Sequence, residues 1–105
     1  MSSWVGVDLD GTLAIYGGWN GGEIGEPIPA MASRVRNWLA DGKDVRIFTA
    51  RASVPELIQA VQDWCEKHFG VRLPVTNVKD FAMGELWDDR AVQVEPNTGR
   101  RVDCK

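Results

Sequence analysis

Apolar residues along the chain fall into short runs typical of buried strands and longer stretches with helical spacing. Trp4–Val7 is a short apolar run, and residues 45–48 form a second one, so both are predicted to be strands. Between them, apolar residues recur every three or four positions over residues 31–39, which predicts an amphipathic helix. A second helix is predicted after residue 53.

Local signals give the expected ends of both helices. Pro29 lies where the first helix is predicted to begin, and Gly42 is a plausible stop. Ser53 and Glu56 have the spacing of a capping box, and Gly70 is expected to end the second helix. The residues of this helix that are predicted to face inward are Leu57, Ile58, Val61, Cys65 and Phe69.

The last third of the chain gives weaker signals. Residues 71–78 predict a third strand that Pro74 interrupts, and residues 91–94 predict a last strand. Residues 95–105 are expected to form a C-terminal hairpin or tail. Alternating strands and helices favour one α/β domain over residues 1–105, a three-layer doubly wound (Rossmann-like) parallel sheet with helices on both faces.

Polar side chains follow the predicted strands. Asp8 and Asp10 come directly after the first strand, and Thr49, Lys79 and Asp88 follow later apolar runs. Ligands of open parallel sheets bind beyond the carboxyl ends of the strands, so these residues are expected to share one site. Two carboxylates this close repel each other unless a positive group lies between them, and Mg²⁺ suits such oxygen ligands.

Residues 14–26 form a glycine-rich stretch with no helical period. Residues 14–25 hold five of the eleven glycines, and Asn20-Gly21 is a turn signal. We expect a flap over the site. Tyr16 and Trp19 would then either touch a substrate or pack down onto the domain.

Composition narrows the function classes. The net charge of -3 argues weakly against a nucleic-acid partner, although Arg100 and Arg101 leave a small basic rim. No apolar run approaches the roughly 18 residues of a membrane span. Two cysteines, Cys65 and Cys104, are too few for a disulfide scaffold, so we expect free thiols and a cytoplasmic protein.

The string Asp-Leu-Asp-Gly-Thr-Leu at residues 8–13 resembles the first motif of the haloacid dehalogenase (HAD) superfamily. The other three motifs of that superfamily have counterparts in order. They are Thr49 after the second strand, Lys79, and the acidic pair Asp88-Asp89. The chain is therefore identified as a capless member, because the intervals between motifs leave no room for an inserted cap domain.

The resemblance implies roles for these residues. Asp8 would be the nucleophile that forms an aspartyl-phosphate, and Asp10 the general acid and base. Phosphoryl oxygens would be bound by Thr49 and Lys79, and by the Leu9 and Ala50 positions. Mg²⁺ would be held by Asp8, Asp10 (through its main-chain carbonyl), Asp88 and Asp89.

The expected function is a Mg²⁺-dependent phosphomonoesterase acting on a small phosphorylated metabolite. The alternatives are a polynucleotide or nucleotide 3′- or 5′-phosphatase, and a non-enzymatic phospho-receiver or binding protein. The sequence also allows Thr49 to be a plain strand-end cap and Lys79 to be a solvated loop residue. It leaves open whether Arg51 contacts phosphate or forms a salt bridge. A homo-oligomer also stays open.

Overall fold

A computed structural model describes residues 3–102, which form a four-stranded sheet with two α-helices. The strands are β1 (Trp4–Val7), β2 (Asp44–Phe48), β3 (Val75–Thr76) and β4 (Met83–Trp87). All neighbouring pairs are parallel, in the order β3-β2-β1-β4. The predicted α/β class with a parallel sheet is confirmed.

The helices are α1 (Pro29–Ala40) and α2 (Pro55–Phe69), each with a proline in its first turn. Gly70 adopts the left-handed conformation (φ 76°) that ends α2, as predicted. The predicted capping box is wrong, because Val54 is the N-cap residue and no side chain caps α2. The segment before α2 is a short 3-10 turn, Ala50–Ser53, which already reverses the chain.

The core lies between the sheet and both helices. Val7 on β1 and Val45 and Ile47 on β2 alternate with Gly6 and Arg46, and they pack in one cluster with side chains of α1 and α2. Both helices therefore cover the same face of the sheet. No other α-helix occurs within residues 3–102, so the predicted third layer is not confirmed.

On the opposite face of the sheet, near β1, side chains and a connecting segment take the place of a covering helix. Trp4 is 1% exposed, its indole N–H donates to Asp80 at 2.8 Å, and Arg46 lies 4.7 Å from its ring centroid. Asp80 belongs to the six-residue connection 77–82 between β3 and β4. A parallel crossover with a helix needs about twelve residues, so this connection runs back across the sheet without one.

Residues 88–102, the described part of the chain after β4, do not add a strand to the sheet. The strand predicted at residues 91–94 is wrong, because Val94 forms only an isolated antiparallel bridge with Arg101. Residues 93–102 fold back on themselves, with Glu95 N–H donating to the Arg100 carbonyl at 2.7 Å. The rest of the predicted hairpin or tail, residues 103–105, lies outside the described residues.

The glycine-rich stretch leaves β1 and returns beside it. Ala14 pairs with Pro27 in an antiparallel bridge at its base. At its tip, Asn20 and Gly21 have φ values of 44° and 70°, as the Asn-Gly turn signal predicts. We call residues 14–26 the flap. Among residues 3–102, no helix is both long and apolar enough to cross a membrane.

The return limb of the flap passes close to its outgoing limb at Gly25. A Cβ atom there would meet the main-chain carbonyl of Ile15, and the Gly25 carbonyl accepts a hydrogen bond from the Trp64 indole at 3.0 Å. Gly17 is the matched control, since a Cβ atom at that position meets nothing within 4 Å.

We therefore expect Gly25→Ala to lower the free energy of unfolding by about 1–3 kcal/mol, the usual cost of forcing extra atoms into a packed site. Gly17→Ala should leave it nearly unchanged. Urea unfolding of both variants tests this, and equal stabilities would show that the flap is not packed at Gly25.

Candidate active site

The predicted site residues meet at the carboxyl edge of the sheet. Asp8 follows the central strand β1, Thr49 follows β2, and Asp88 and Asp89 follow β4. The Asp8 N–H donates to the Trp87 carbonyl at 2.9 Å, which holds the ends of β1 and β4 together. A cavity of about 440 Å³ opens here, and its lining consists of Asp8, Asp10, Tyr16, Trp19, Phe48, Thr49, Ala50, Arg51, Leu57, Asp88, Asp89 and Arg90.

A tight turn after Asp8 brings Asp89 close to it. Gly11 has a φ of 94°, and a Cβ atom there would lie 2.8 Å from the Asp89 carboxylate. Thr12 joins the two acids, since its hydroxyl oxygen lies 3.2 Å from Asp8 Oδ2 and 3.0 Å from Asp89 Oδ1. That oxygen also accepts from the Asp89 N–H at 2.9 Å. The position therefore requires glycine because the Asp89 carboxylate occupies the space of a side chain.

The crowding changes the protonation of Asp8. The pKa of Asp8 is raised from 3.8 to about 7, mostly by burial and further by the hydrogen bond with Asp89 and the negative charge of Asp88. The pKa of Asp89 is lowered, because its carboxylate accepts hydrogen bonds from Asp8 and Thr12. The proton of this pair therefore lies on Asp8.

Asp10 is held by a different partner. Arg51 donates from Nε to Asp10 Oδ2 at 2.7 Å and from Nη2 to Asp10 Oδ1 at 2.9 Å. Its Nη1 donates to the Gly22 carbonyl of the flap at 2.6 Å, and the guanidinium carbon lies 4.8 Å from the Trp19 ring centroid. Arg51 is 4% exposed, so a buried cation links Asp10 to the flap.

Thr49 lies in the cavity wall and is 3% exposed. Its hydroxyl oxygen accepts from the Arg51 N–H at 3.1 Å, so it caps the 3-10 turn Ala50–Ser53, and its own O–H is left to donate. Ala50 lines the cavity as well. Leu9 buries its side chain completely in the core and is not among the residues that line the cavity.

Lys79 is not brought to the cavity. It is an exposed residue of the connection 77–82, three positions past β3, and β2 separates β3 from the central strand. The basic residues that line the cavity are Arg51 and Arg90. The predicted role of Lys79 in phosphate binding therefore stays a prediction, whereas the two arginines line the cavity.

Sequence reasoning missed two contacts at this site. Thr12 had a signal, because it lies inside the Asp8–Leu13 motif, although no role was assigned to it. The sequence leaves Arg51 open as a phosphate contact or a salt-bridge partner and does not indicate its partner, which is Asp10. The pairing depends on how the 3-10 turn after β2 faces the turn after β1, which spacing alone does not encode.

Three carboxylates are close enough to share a cation. Oxygens of Asp8, Asp88 and Asp89 lie within 4.8 Å of one another, and hard divalent cations prefer such ligands. The proton that Asp8 retains to about pH 7 indicates negative charge that a cation would compensate. Both side-chain oxygens of Asp10 accept hydrogen bonds from Arg51, and its main-chain carbonyl is the ligand that the resemblance implies. The donor set therefore fits Mg²⁺.

Comparison with known proteins gives the fold and no function. No protein-family model matches the chain, and no curated protein matches it significantly. A solved structure of a conserved protein from Bacteroides thetaiotaomicron is similar, with a TM-score of 0.68 and 20% sequence identity. The match covers 88% of this chain and 79% of that chain. At this identity it supports the α/β architecture alone.

The raised pKa of Asp8 predicts how stability depends on pH. Between about pH 4 and pH 7 the unfolded chain ionises Asp8 while the folded protein keeps the proton, so the stability that this group contributes falls as pH rises. Asp8→Asn has the shape and donor of the protonated acid but does not titrate. Without metal, we expect its stability relative to the wild type to increase by about 2 kcal/mol from pH 5 to pH 8.

Urea unfolding in EDTA at both pH values measures this difference. Using the difference between variants removes the contributions of Asp44 and Asp80, whose lowered pKa values act the opposite way at acid pH. Parallel pH profiles for the two proteins would show that Asp8 titrates normally.

Proposed function

We propose that this protein is a Mg²⁺-dependent phosphomonoesterase that acts through an aspartyl-phosphate on Asp8. The observation that carries the proposal is one cavity, at the carboxyl edge of a parallel sheet, whose lining includes Asp8, Asp10, Thr49, Asp88 and Asp89. The same residues stand in the order of the HAD motifs. Membership of that superfamily in a reduced, capless form, a small phosphorylated substrate and a cytoplasmic location belong to the proposal.

In the first step, a carboxylate oxygen of Asp8 attacks phosphorus and the bond from phosphorus to the ester oxygen breaks. The leaving oxygen takes a proton from Asp10. In the second step, Asp10 removes a proton from water, the water oxygen attacks phosphorus, and the Asp8 carboxylate is released with inorganic phosphate. Thr49 has a free O–H to donate to a phosphoryl oxygen, and Arg90 adds positive charge at the same cavity.

Mg²⁺ would be held by the carboxylates of Asp8, Asp88 and Asp89 and the main-chain carbonyl of Asp10. When bound, it supplies positive charge that favours ionised Asp8 and offsets charge on the phosphoryl group. Asp8 depends most on this positive charge, because its raised pKa leaves it largely protonated below about pH 7. Activity of the metal-free protein should therefore be low at neutral and acid pH.

Arg51 limits what Asp10 can do. An acid needs a proton on one carboxylate oxygen, and both oxygens accept from Arg51. One of these bonds must open before Asp10 protonates the leaving oxygen, and phosphoryl oxygens beside Arg51 are competing acceptors. Arg51 is therefore a positioning residue that sets when Asp10 is available.

The first test is hydrolysis of 4-nitrophenyl phosphate with Mg²⁺ and with EDTA. Asp8→Asn should lower Mg²⁺-dependent turnover at least about 1,000-fold, because it removes the nucleophile and keeps its shape. Asp63→Asn is the control, since Asp63 forms an exposed ion pair with Arg72. Undiminished turnover in a folded Asp8→Asn protein would contradict the proposal, and a stable phosphoryl group on Asp8 would favour a phospho-receiver.

The role of Arg51 is tested by changing the leaving group. An alkyl phosphate needs a proton on its leaving oxygen, and 4-nitrophenyl phosphate hardly does. Because lysine lacks the two-point fork that positions Asp10, Arg51→Lys should lower the ratio of alkyl to aryl turnover by about tenfold, a part of what general acid catalysis contributes.

Arg46→Lys is the matched control for this experiment. Arg46 also holds an aspartate at two points, bonding both carboxylate oxygens of Asp44 at 3.1 and 2.8 Å, but it lies outside the cavity. Equal loss of alkyl and aryl turnover in Arg51→Lys would assign Arg51 a purely structural role.

A further inference from the structure

The cavity is larger than the phosphoryl group requires, and part of its lining is apolar. It measures about 440 Å³, and Tyr16, Trp19, Phe48 and Leu57, which we call the apolar wall, line it together with the carboxylates. Tyr16 is 44% exposed and Trp19 is 51% exposed, although both are large rings. Unfilled aromatic surface beside a reactive centre is the usual form of a binding wall for the rest of a ligand.

Trp19 is held in place by its neighbours. The guanidinium of Arg51 lies 4.8 Å from its ring centroid, and a Cβ atom at Gly22 would lie 3.1 Å from its Cζ2 atom. Arg51 is in turn fixed by Asp10 and by the Gly22 carbonyl. The ring is therefore set in position before a ligand arrives, which reduces the entropy cost of binding against it.

The chemistry of this wall discriminates between leaving groups. A polyhydroxyl leaving group needs hydrogen-bond partners, and Phe48 and Leu57 have no polar side-chain atom to offer. Hydroxyls that leave water without a partner cost binding free energy. A planar ring needs only an aromatic face, and stacking on Tyr16 or Trp19 removes apolar surface of both partners from water.

We propose that Tyr16 and Trp19 form a stacking subsite that selects phosphomonoesters whose leaving group carries a planar ring. A nucleoside monophosphate, with its base against the flap and its phosphate at Asp8, is the biological compound with this chemistry. The inference rests on the proposed phosphatase function and narrows its substrate class from small phosphorylated metabolites in general.

The test compares adenosine 5′-monophosphate with ribose 5-phosphate, which has a hydroxyl in place of the base. In the wild type, kcat/KM should be at least about tenfold higher for the nucleotide. Trp19→Ala should lower this ratio at least about fivefold, the lower end of what base–aromatic stacking contributes. Trp19→Phe, which keeps a ring, should retain most of the preference, and Tyr16→Ala should lower it in the same direction.

Phe81→Ala is the matched control, because Phe81 is a fully exposed aromatic residue that does not line the cavity. It should leave the ratio unchanged. Equal kcat/KM for the two substrates in the wild type would overturn the inference. So would an unchanged ratio in Trp19→Ala, which would show that the ring only supports Arg51.

A binding measurement without turnover tests the stacking subsite separately from the proposed phosphatase activity. Calorimetry on Asp8→Asn measures the affinity for adenosine 5′-monophosphate and ribose 5-phosphate without turnover. A preference for the nucleotide that Trp19→Ala removes supports the subsite even if no phosphomonoester is hydrolysed. Equal affinities overturn the subsite even if 4-nitrophenyl phosphate is a good substrate.

Discussion

Repulsion among carboxylates at the carboxyl edge of the sheet is the constraint on which the site depends. Parallel pairing of β1 with β4 places oxygens of Asp8, Asp88 and Asp89 within 4.8 Å of one another. The protein relieves this with a proton on Asp8 and with the Thr12 hydroxyl between Asp8 and Asp89. The divalent cation proposed above would replace that proton. The three carboxylates, whose mutual repulsion destabilises the fold, would then be its ligands.

Asp10 lies two residues further on and is stabilised in another way. Burying its partner Arg51 would cost folding free energy if the guanidinium lacked hydrogen-bond acceptors. The Gly22 carbonyl accepts one hydrogen bond from it, and the Trp19 ring packs against it. The same guanidinium thereby fixes the flap over the cavity. One ion pair therefore connects the residue proposed as acid and base with the wall proposed to bind the leaving group. Because residues 3–102 contain no cap domain, the flap is the segment that shapes this side of the cavity.

Signals confined to a few neighbouring residues predicted their structure well. Trp4–Val7 is a strand over the predicted residues, and Gly70 and Asn20 adopt the left-handed backbone their residue types favour. Features that depend on distant partners were not predictable in this way. The capping box at Ser53 is not formed because Ser53 belongs to the preceding 3-10 turn and Val54 is the N-cap residue of α2. The third layer is not confirmed within residues 3–102, because the connection 77–82 is too short to hold its helix.

The candidate site shows the same difference between local signals and features that depend on distant partners. Asp8, Asp10, Thr49 and the acidic pair follow strands, so the sheet brings them together wherever the strands pair in parallel. Lys79 also follows a strand, but an edge strand whose end lies beyond β2. The pairing of Arg51 with Asp10 joins two turns 41 positions apart, and no spacing rule relates them. The likeness to a solved structure supports the architecture, whereas the proposed chemistry depends on these side chains.

The central claim is that Asp8 receives the phosphoryl group, and direct detection of that bond tests it. The protein is mixed with Mg²⁺ and a phosphomonoester, quenched in acid within the first turnover, and digested for mass spectrometry. We predict a phosphoryl group on Asp8 that appears with Mg²⁺, is absent with EDTA, and disappears as substrate is exhausted. Turnover with no phosphorylated Asp8 in the quenched protein, or a phosphoryl group on another residue, would contradict the claim.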